Sequence, residues 1–236
     1  MSSLSLKGLL ERVTEVQEQG AKVNPSNTID MQQQLQRLRL VPVISLPSVE
    51  AGLKLSEILI KCKLPVAEIT FRTACAPEAI AAIKKTFPEL LLLAGTVVTR
   101  QQLDQAVLNG AAAIVSPGFT LQMAQYSREK NIPFYPGVCT PSEVQQAMDA
   151  GLKLLKFFPA EIAGGIKMIS LFQALYHGIS FMPTGGINLK NIQSYLCFDN
   201  IICCGGTWLC PEQLMIEERW EEIDKRVTAA VEALAQ

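Results

Sequence analysis

Lys156 stands inside the apolar run Leu154, Leu155, Phe157 and Phe158, a segment that reads as a buried strand. Lysine is rarely buried without a partner, because desolvating an ammonium costs several kcal/mol. Desolvation disfavours the charged form of an amine, and the nucleophilic fraction it leaves near neutral pH is what attack on a carbonyl to form a Schiff base requires. Taken alone, the segment favours a plainer alternative, a lysine at a strand edge with its stem on apolar surface and its head in water. A second segment changes the balance. In 66–72, Glu68, Thr70 and Arg72 alternate with Ala67, Ile69 and Phe71, so a carboxylate, a hydroxyl and a guanidinium share one face of a strand. A Glu68–Arg72 ion pair would account for that segment by itself. If both strands turn these faces into one cavity, Lys156 and Glu68 meet there. A carboxylate beside an amine can move the protons of carbinolamine dehydration, imine–enamine exchange and deprotonation of a substrate hydroxyl. Arg72 could hold a substrate carboxylate through two parallel hydrogen bonds.

Two glycine pairs add a different chemistry. Gly185-Gly186 follows Pro183-Thr184, and Gly205-Gly206 precedes Thr207-Trp208. Glycine lets backbone approach a ligand closely, and clustered N–H groups favour an anion. One such pair reads equally well as a tight turn; two of them, after the last two strands of the pattern described below, point to phosphate. Gly95-Thr96 would add a further hydroxyl. His177 is the single histidine, which rules out a multi-histidine metal centre while leaving a Ser-His-Asp arrangement open. No role is assigned to it beyond a surface or helix-end position.

The elements that must position these residues alternate. Apolar segments at 42–46, 66–71, 90–95, 113–116, 133–135, 154–158, 181–184 and 201–204 read as strands. Helical patterns intervene at 49–61, 76–86, 101–109, 121–130, 142–150, 166–176 and 189–195, and a long helix with one charged face is expected over 211–234. Eight βα units in about 200 residues favour a closed (β/α)8 barrel over an open doubly wound sheet, and in a barrel the chemistry sits at the C-terminal ends of the strands. No Gly-x-Gly-x-x-Gly turn follows the first strand, which weakens a dinucleotide-binding alternative. Ahead of the barrel, Leu6, Leu9, Leu10, Val13 and Val16 recur at helical spacing; 20–27 reads as a loop, and 29–38 as a helix leading into the first strand. The expected division is an N-terminal helical extension over 1–27 and a barrel domain over 28–236.

Composition bounds the partners. The chain has 236 residues, 49% of them hydrophobic, and a formal charge of −1. It has no basic run suited to nucleic acid and no stretch approaching the roughly eighteen apolar residues of a membrane span. Lys7, Glu11 and Arg12 interrupt any secretory h-region, so the expectation is a cytoplasmic protein without nucleic-acid or membrane partners. Seven cysteines, an odd number with no Cys-x-x-Cys spacing, read as reduced thiols, mostly small core residues.

The ordered segments Ala67-Glu68-Ile69-Thr70-Phe71-Arg72-Thr73, Ala94-Gly95-Thr96-Val97, Val115-Ser116-Pro117-Gly118, Pro136-Gly137-Val138, Lys156-Phe157-Phe158-Pro159-Ala160-Glu161 and Pro183-Thr184-Gly185-Gly186-Ile187 resemble the 2-keto-3-deoxy-6-phosphogluconate (KDPG) aldolase family over about residues 28–235. The resemblance implies a metal-independent class I lyase without a cofactor, built as a homotrimer of (β/α)8 barrels. It implies Lys156 as the Schiff-base lysine and Glu68 as the general acid/base. It further implies Arg72 and Thr96 on the pyruvate moiety, Pro117 and Phe158 lining its pocket, and Gly185, Gly186 and Thr207 on the phosphate. Thr184 accompanies the gluconate-configured substrate in that family, an aliphatic residue the galactonate one; a hydroxyl could bond one epimer's C4 oxygen and mismatch the other. The chain departs from the pattern at Thr207, where serine is frequent, and at residues 1–27, which shorter members lack. The expected reaction is cleavage of KDPG to pyruvate and glyceraldehyde 3-phosphate. The alternatives are 4-hydroxy-2-oxoglutarate (KHG) cleavage, which shares the pyruvate half-site, and a non-catalytic phosphosugar-binding barrel, against which the joint presence of Lys156, Glu68 and Arg72 argues. A phosphosugar isomerase would have no need of Lys156 in an apolar strand.

Overall fold

The computed structural model describes residues 25–234. Helix α1 (Pro25–Leu38) leads into β1 (Leu40–Ile44), and seven βα alternations follow: α2 (Val49–Lys61), β2 (Val66–Thr70), α3 (Ala76–Thr86), β3 (Leu91–Gly95), α4 (Arg100–Leu108), β4 (Ala113–Ser116), α5 (Leu121–Glu129), β5 (Phe134–Val138), α6 (Pro141–Asp149), β6 (Leu154–Phe157), α7 (Gly165–Leu175), β7 (Ser180–Pro183), α8 (Ile192–Leu196) and β8 (Cys204–Gly206). Two helices finish the chain, α9 (Glu212–Ile216) and α10 (Trp220–Leu234). The strands pair in parallel in the order β7-β6-β5-β4-β3-β2-β1-β8, and the bridges Phe181↔Ile201 and Thr184↔Gly205 bring β7 to β8. The eight strands therefore close on themselves as a (β/α)8 barrel.

Local chemistry sets the element boundaries. Ser48, Thr99, Thr120 and Thr140 each accept a hydrogen bond from the third backbone N–H of the helix they open, which satisfies an otherwise orphaned donor. At Thr99 and Thr140 the bond is reciprocated by Gln102 and Glu143 as a capping box. Strands are buried on both faces because helices cover the outside and side chains fill the lumen, the pattern expected of a parallel barrel. Arg39 donates to the Leu234 carbonyl at 3.1 Å, and Gln193 to that of Ala233 at 2.8 Å, tying the end of α10 to the β8–β1 seam.

Three expectations are corrected. The first described helix begins at Pro25, so 25–27 are helical rather than loop; proline suits a first helical turn, where its missing N–H is no loss. The helix expected over 211–234 is two, because Glu218 adopts φ 54° and the chain turns there. The first and last strands lie two to three residues away from 42–46 and 201–204: β1 begins earlier, at Leu40, and β8 later, at Cys204, since their mutual pairing (Leu40↔Cys204, Pro42↔Gly206) sets the register. The amphipathic pattern at Leu6–Val16 lies outside the described residues. Among the described residues no helix is long and apolar enough to cross a membrane.

Candidate active site

Strand alternation and an aromatic anchor aim Lys156 inward. Its neighbour Phe157 points the other way, edge-on to Phe172 of α7 at 5.8 Å, and Phe172 stacks on Phe181 of β7 at 5.2 Å. These rings, all fully buried, fix β6 and β7 against one helix. With Phe157 committed to the outer layer, Lys156 must face the lumen. There its Nζ donates to Oε1 of Glu68 from β2 at 3.0 Å, across the barrel, with the two side chains 6% and 0% exposed. The two segments singled out in sequence thus meet, and Glu68 pairs with Lys156, not with Arg72. Each charge offsets the desolvation of the other. The second carboxylate oxygen, Oε2, is buried and has no partner among the described residues.

Two glycines flank this pair. A β-carbon on Gly95 would lie 2.6 Å from Cγ and 2.9 Å from Cδ of Glu68. Gly137, register partner of Lys156 on β5, lets the Pro117 carbonyl pack where a β-carbon would stand. Below the pair, Cys203 is wholly buried; burial, then Cys204 and the Glu68 carboxylate, push its thiol pKa well up. Thr70, on the same face of β2, donates to the Ile44 carbonyl at 2.9 Å.

The remaining residues ring the mouth at the strand ends. Arg72 lies two residues past β2, exposed and with no ion pair among the described residues. Thr96 follows β3 directly, held at φ 57°. Pro117 follows β4 and Phe158 follows β6, its ring centroid 5.4 Å from the Lys156 ammonium. Thr184, just past β7, is buried, with its hydroxyl 3.4 Å from the Met182 carbonyl, a marginal hydrogen bond.

Gly185 and Gly186 turn away from β7 with φ of 100° and 82°, in the left-handed region open to glycine at low cost. Their carbonyls are tied back: that of Gly185 accepts from the Glu161 N–H at 3.1 Å, and that of Gly186 from the side-chain amides of Asn188 and Asn191 at 3.2 and 3.0 Å. The N–H groups of Gly186 and Thr207 have no hydrogen-bond acceptor among the described residues, while that of Gly185 faces the Gly205 carbonyl across the β7–β8 bridge. Because Thr184 bridges Gly205, the turns after β7 and β8 adjoin at the barrel rim. Among the described residues, no three His, Cys, Asp or Glu side chains are grouped to hold a metal ion.

Comparison with known proteins converges on one family. The description "Aldolase: KDPG and KHG aldolase" matches residues 31–226. The chain is 39% identical over 202 residues to the 2-dehydro-3-deoxy-phosphogluconate aldolase of Haemophilus influenzae, covering 86% of this chain and 95% of that one. It is also 39% identical over 193 residues to the KHG/KDPG aldolase of Escherichia coli, covering 82% and 91%. A solved structure of KDPG aldolase from Legionella pneumophila, with pyruvate captured at low pH as a covalent carbinolamine intermediate, superposes with a TM-score of 0.81 at 36% identity, over 84% of this chain and 97% of that one. With its barrel, its buried amine–carboxylate pair and these relatives in agreement, the chain belongs to the KDPG and KHG aldolase family.

Proposed function

We propose that this protein cleaves 2-keto-3-deoxy-6-phosphogluconate to pyruvate and glyceraldehyde 3-phosphate through a Schiff base on Lys156. The observation that carries the reading is the buried Lys156–Glu68 pair, with one carboxylate oxygen on the amine and the other free. A proton passing from Nζ to Oε1 over 3.0 Å leaves a neutral amine and a carboxylic acid. The amine attacks the C2 carbonyl, and the acid returns its proton as the carbinolamine loses water, giving an iminium. The carboxylate, regenerated by that step, next takes the proton of the C4 hydroxyl. The C3–C4 bond breaks, its electron pair neutralises the iminium nitrogen as an enamine, and the aldehyde leaves. Protonation at C3 and hydrolysis release pyruvate and free Lys156.

The other assignments are those the family resemblance implies, supported by positions at the strand ends. Arg72 and Thr96 hold the pyruvate carboxylate, while Pro117 and Phe158 wall the reacting carbons. The hydroxyl of Thr184, weakly engaged, is available to a C4 oxygen of one configuration. The phosphate is received at Gly185, Gly186 and Thr207, with the open N–H groups of Gly186 and Thr207 as donors and the carbonyl oxygens of Gly185 and Gly186 turned away.

The close alternative is 4-hydroxy-2-oxoglutarate, since the E. coli relative's name covers both substrates. That substrate would leave the glycine turn unused. Hydrogen bonds to a charged group contribute about 1.5–3 kcal/mol each, so two of them predict at least about a hundredfold preference for the phosphorylated substrate. Measuring kcat/KM for both decides the matter. Equal efficiency would remove the phosphate site and make 4-hydroxy-2-oxoglutarate the leading substrate.

A further inference from the structure

A second carboxylate, unused in the chemistry above, lies beside the phosphate turn. Glu161, in the loop between β6 and α7, donates its backbone N–H to Gly185, and its stem presses on Gly186, where a β-carbon would come within 2.5 Å of Cγ and 2.7 Å of Cβ. A negative head group at this spot has the wrong sign for a phosphate site. Left free, it could accept the Gly186 N–H itself, or repel the substrate's anion.

The head group is not free. The hydroxyl of Tyr195, from α8, donates a hydrogen bond to Glu161 Oε1. Tyr195 is fully buried, so its ring cannot swing away. Burial, followed by the Glu161 carboxylate, pushes the tyrosine pKa up, so the hydroxyl keeps its proton. Gly165 leaves space for the contact, since a β-carbon there would stand 3.1 Å from both the carboxylate oxygen and the hydroxyl. The stem of Glu161 thus supports the phosphate turn while its charge is drawn towards α8.

We propose that Tyr195 is a positioning residue for substrate selection, holding the Glu161 carboxylate away from the Gly185–Gly186 turn so that the turn can accept a phosphate. The inference rests on the phosphate reading of that turn. It separates two functions of one residue, a structural stem and a restrained charge, and predicts that loss of the tyrosine hydroxyl harms phosphate binding through the charge alone.

The test compares wild type, Tyr195→Phe, Glu161→Gln and the double variant on the phosphorylated substrate and on 4-hydroxy-2-oxoglutarate. Tyr195→Phe is expected to raise KM for the phosphorylated substrate about tenfold, as juxtaposed like charges demand, with kcat little changed and the unphosphorylated substrate unaffected. The double variant, having no charge to restrain, should return KM to within about twofold of wild type, and added salt should shrink the single variant's defect by screening. A double variant as impaired as Tyr195→Phe, or equal losses on both substrates, would overturn the inference. So would an unchanged KM in Tyr195→Phe while wild type still prefers the phosphorylated substrate, an outcome that leaves the phosphate reading standing. If wild type shows no such preference, the phosphate reading fails and this inference with it. Should Tyr195→Phe not fold, Glu161→Gln carries the test: its amide still accepts the tyrosine proton, and KM should stay within about twofold of wild type. A tenfold rise there would mean that the carboxylate aids binding, contrary to the proposal.

Discussion

Glu68 illustrates how one side chain can serve both packing and chemistry. Its carboxylate compensates the Lys156 ammonium at 3.0 Å, and its second oxygen stays free for a reacting hydroxyl. Glu68→Gln keeps the size and a hydrogen-bonding oxygen but removes the proton-transfer capacity. The expected loss in kcat is about 10²–10⁴-fold, the usual contribution of a positioned acid/base, with pyruvate still bound. Steady-state kinetics and a pyruvate titration measure the two separately. Loss of folding in place of loss of turnover would assign Glu68 a purely structural role. The polar alternation of β2 made this residue visible in sequence, whereas its partner was ambiguous, since an ion pair with Arg72 explained the strand equally well. Only the closure of the barrel, which sets β2 facing β6, decides between the two. Thr70, on the same face, needs a partner too, and finds it in the carbonyl of a neighbouring strand, which the segment alone does not reveal.

At the scale of elements, the aim of Lys156 depends on the layer behind it. Phe157 and Phe181 both meet Phe172, so one helix side chain clamps two adjacent strands. Phe172→Ala should destabilise the protein by about 3–5 kcal/mol, the cost of a large buried cavity. It should also lower kcat at temperatures where the protein remains folded, because β6 loses its outer anchor. Chemical denaturation with a far-ultraviolet probe gives the first number and kinetics the second; an unchanged unfolding midpoint would deny the clamp. Two helix boundaries in this layer were well legible: 49–61 and 76–86 coincide with α2 and α3, the first opened by the Ser48 cap and the second by Pro77 in its first turn. Strand ends at the seam were less so. β8 is three residues long and its position is set by pairing with β1, which no local pattern in 201–204 encodes.

For the molecule as a whole, the barrel partitions its cysteines. Cys203, Cys204 and Cys210 are buried, and burial pushes the thiols of Cys204 and Cys210 up to about 12, while Cys197 is exposed. A raised thiol pKa means less thiolate at any given pH, and the thiolate is the reactive form. With iodoacetamide at about pH 8, the native protein should be modified at Cys197 and not at Cys203, Cys204 or Cys210 until denatured. Peptide mapping reads this directly, and labelling of Cys203 in the native protein would mean that the barrel interior opens. The eight-fold βα rhythm made the architecture legible, because strand and helix periods alternate without interruption from 40 to 206. The roles of Gly95, Gly137 and Tyr195 were not, since each depends on a contact between elements far apart in sequence.

Everything in the proposed chemistry depends on imine formation at Lys156. Borohydride reduction in the presence of pyruvate, followed by peptide mass mapping, tests it most directly. A single reduced pyruvate adduct is expected on Lys156, absent in Lys156→Met, which should also lack aldol cleavage. An adduct on another lysine, or full activity in Lys156→Met, would contradict it.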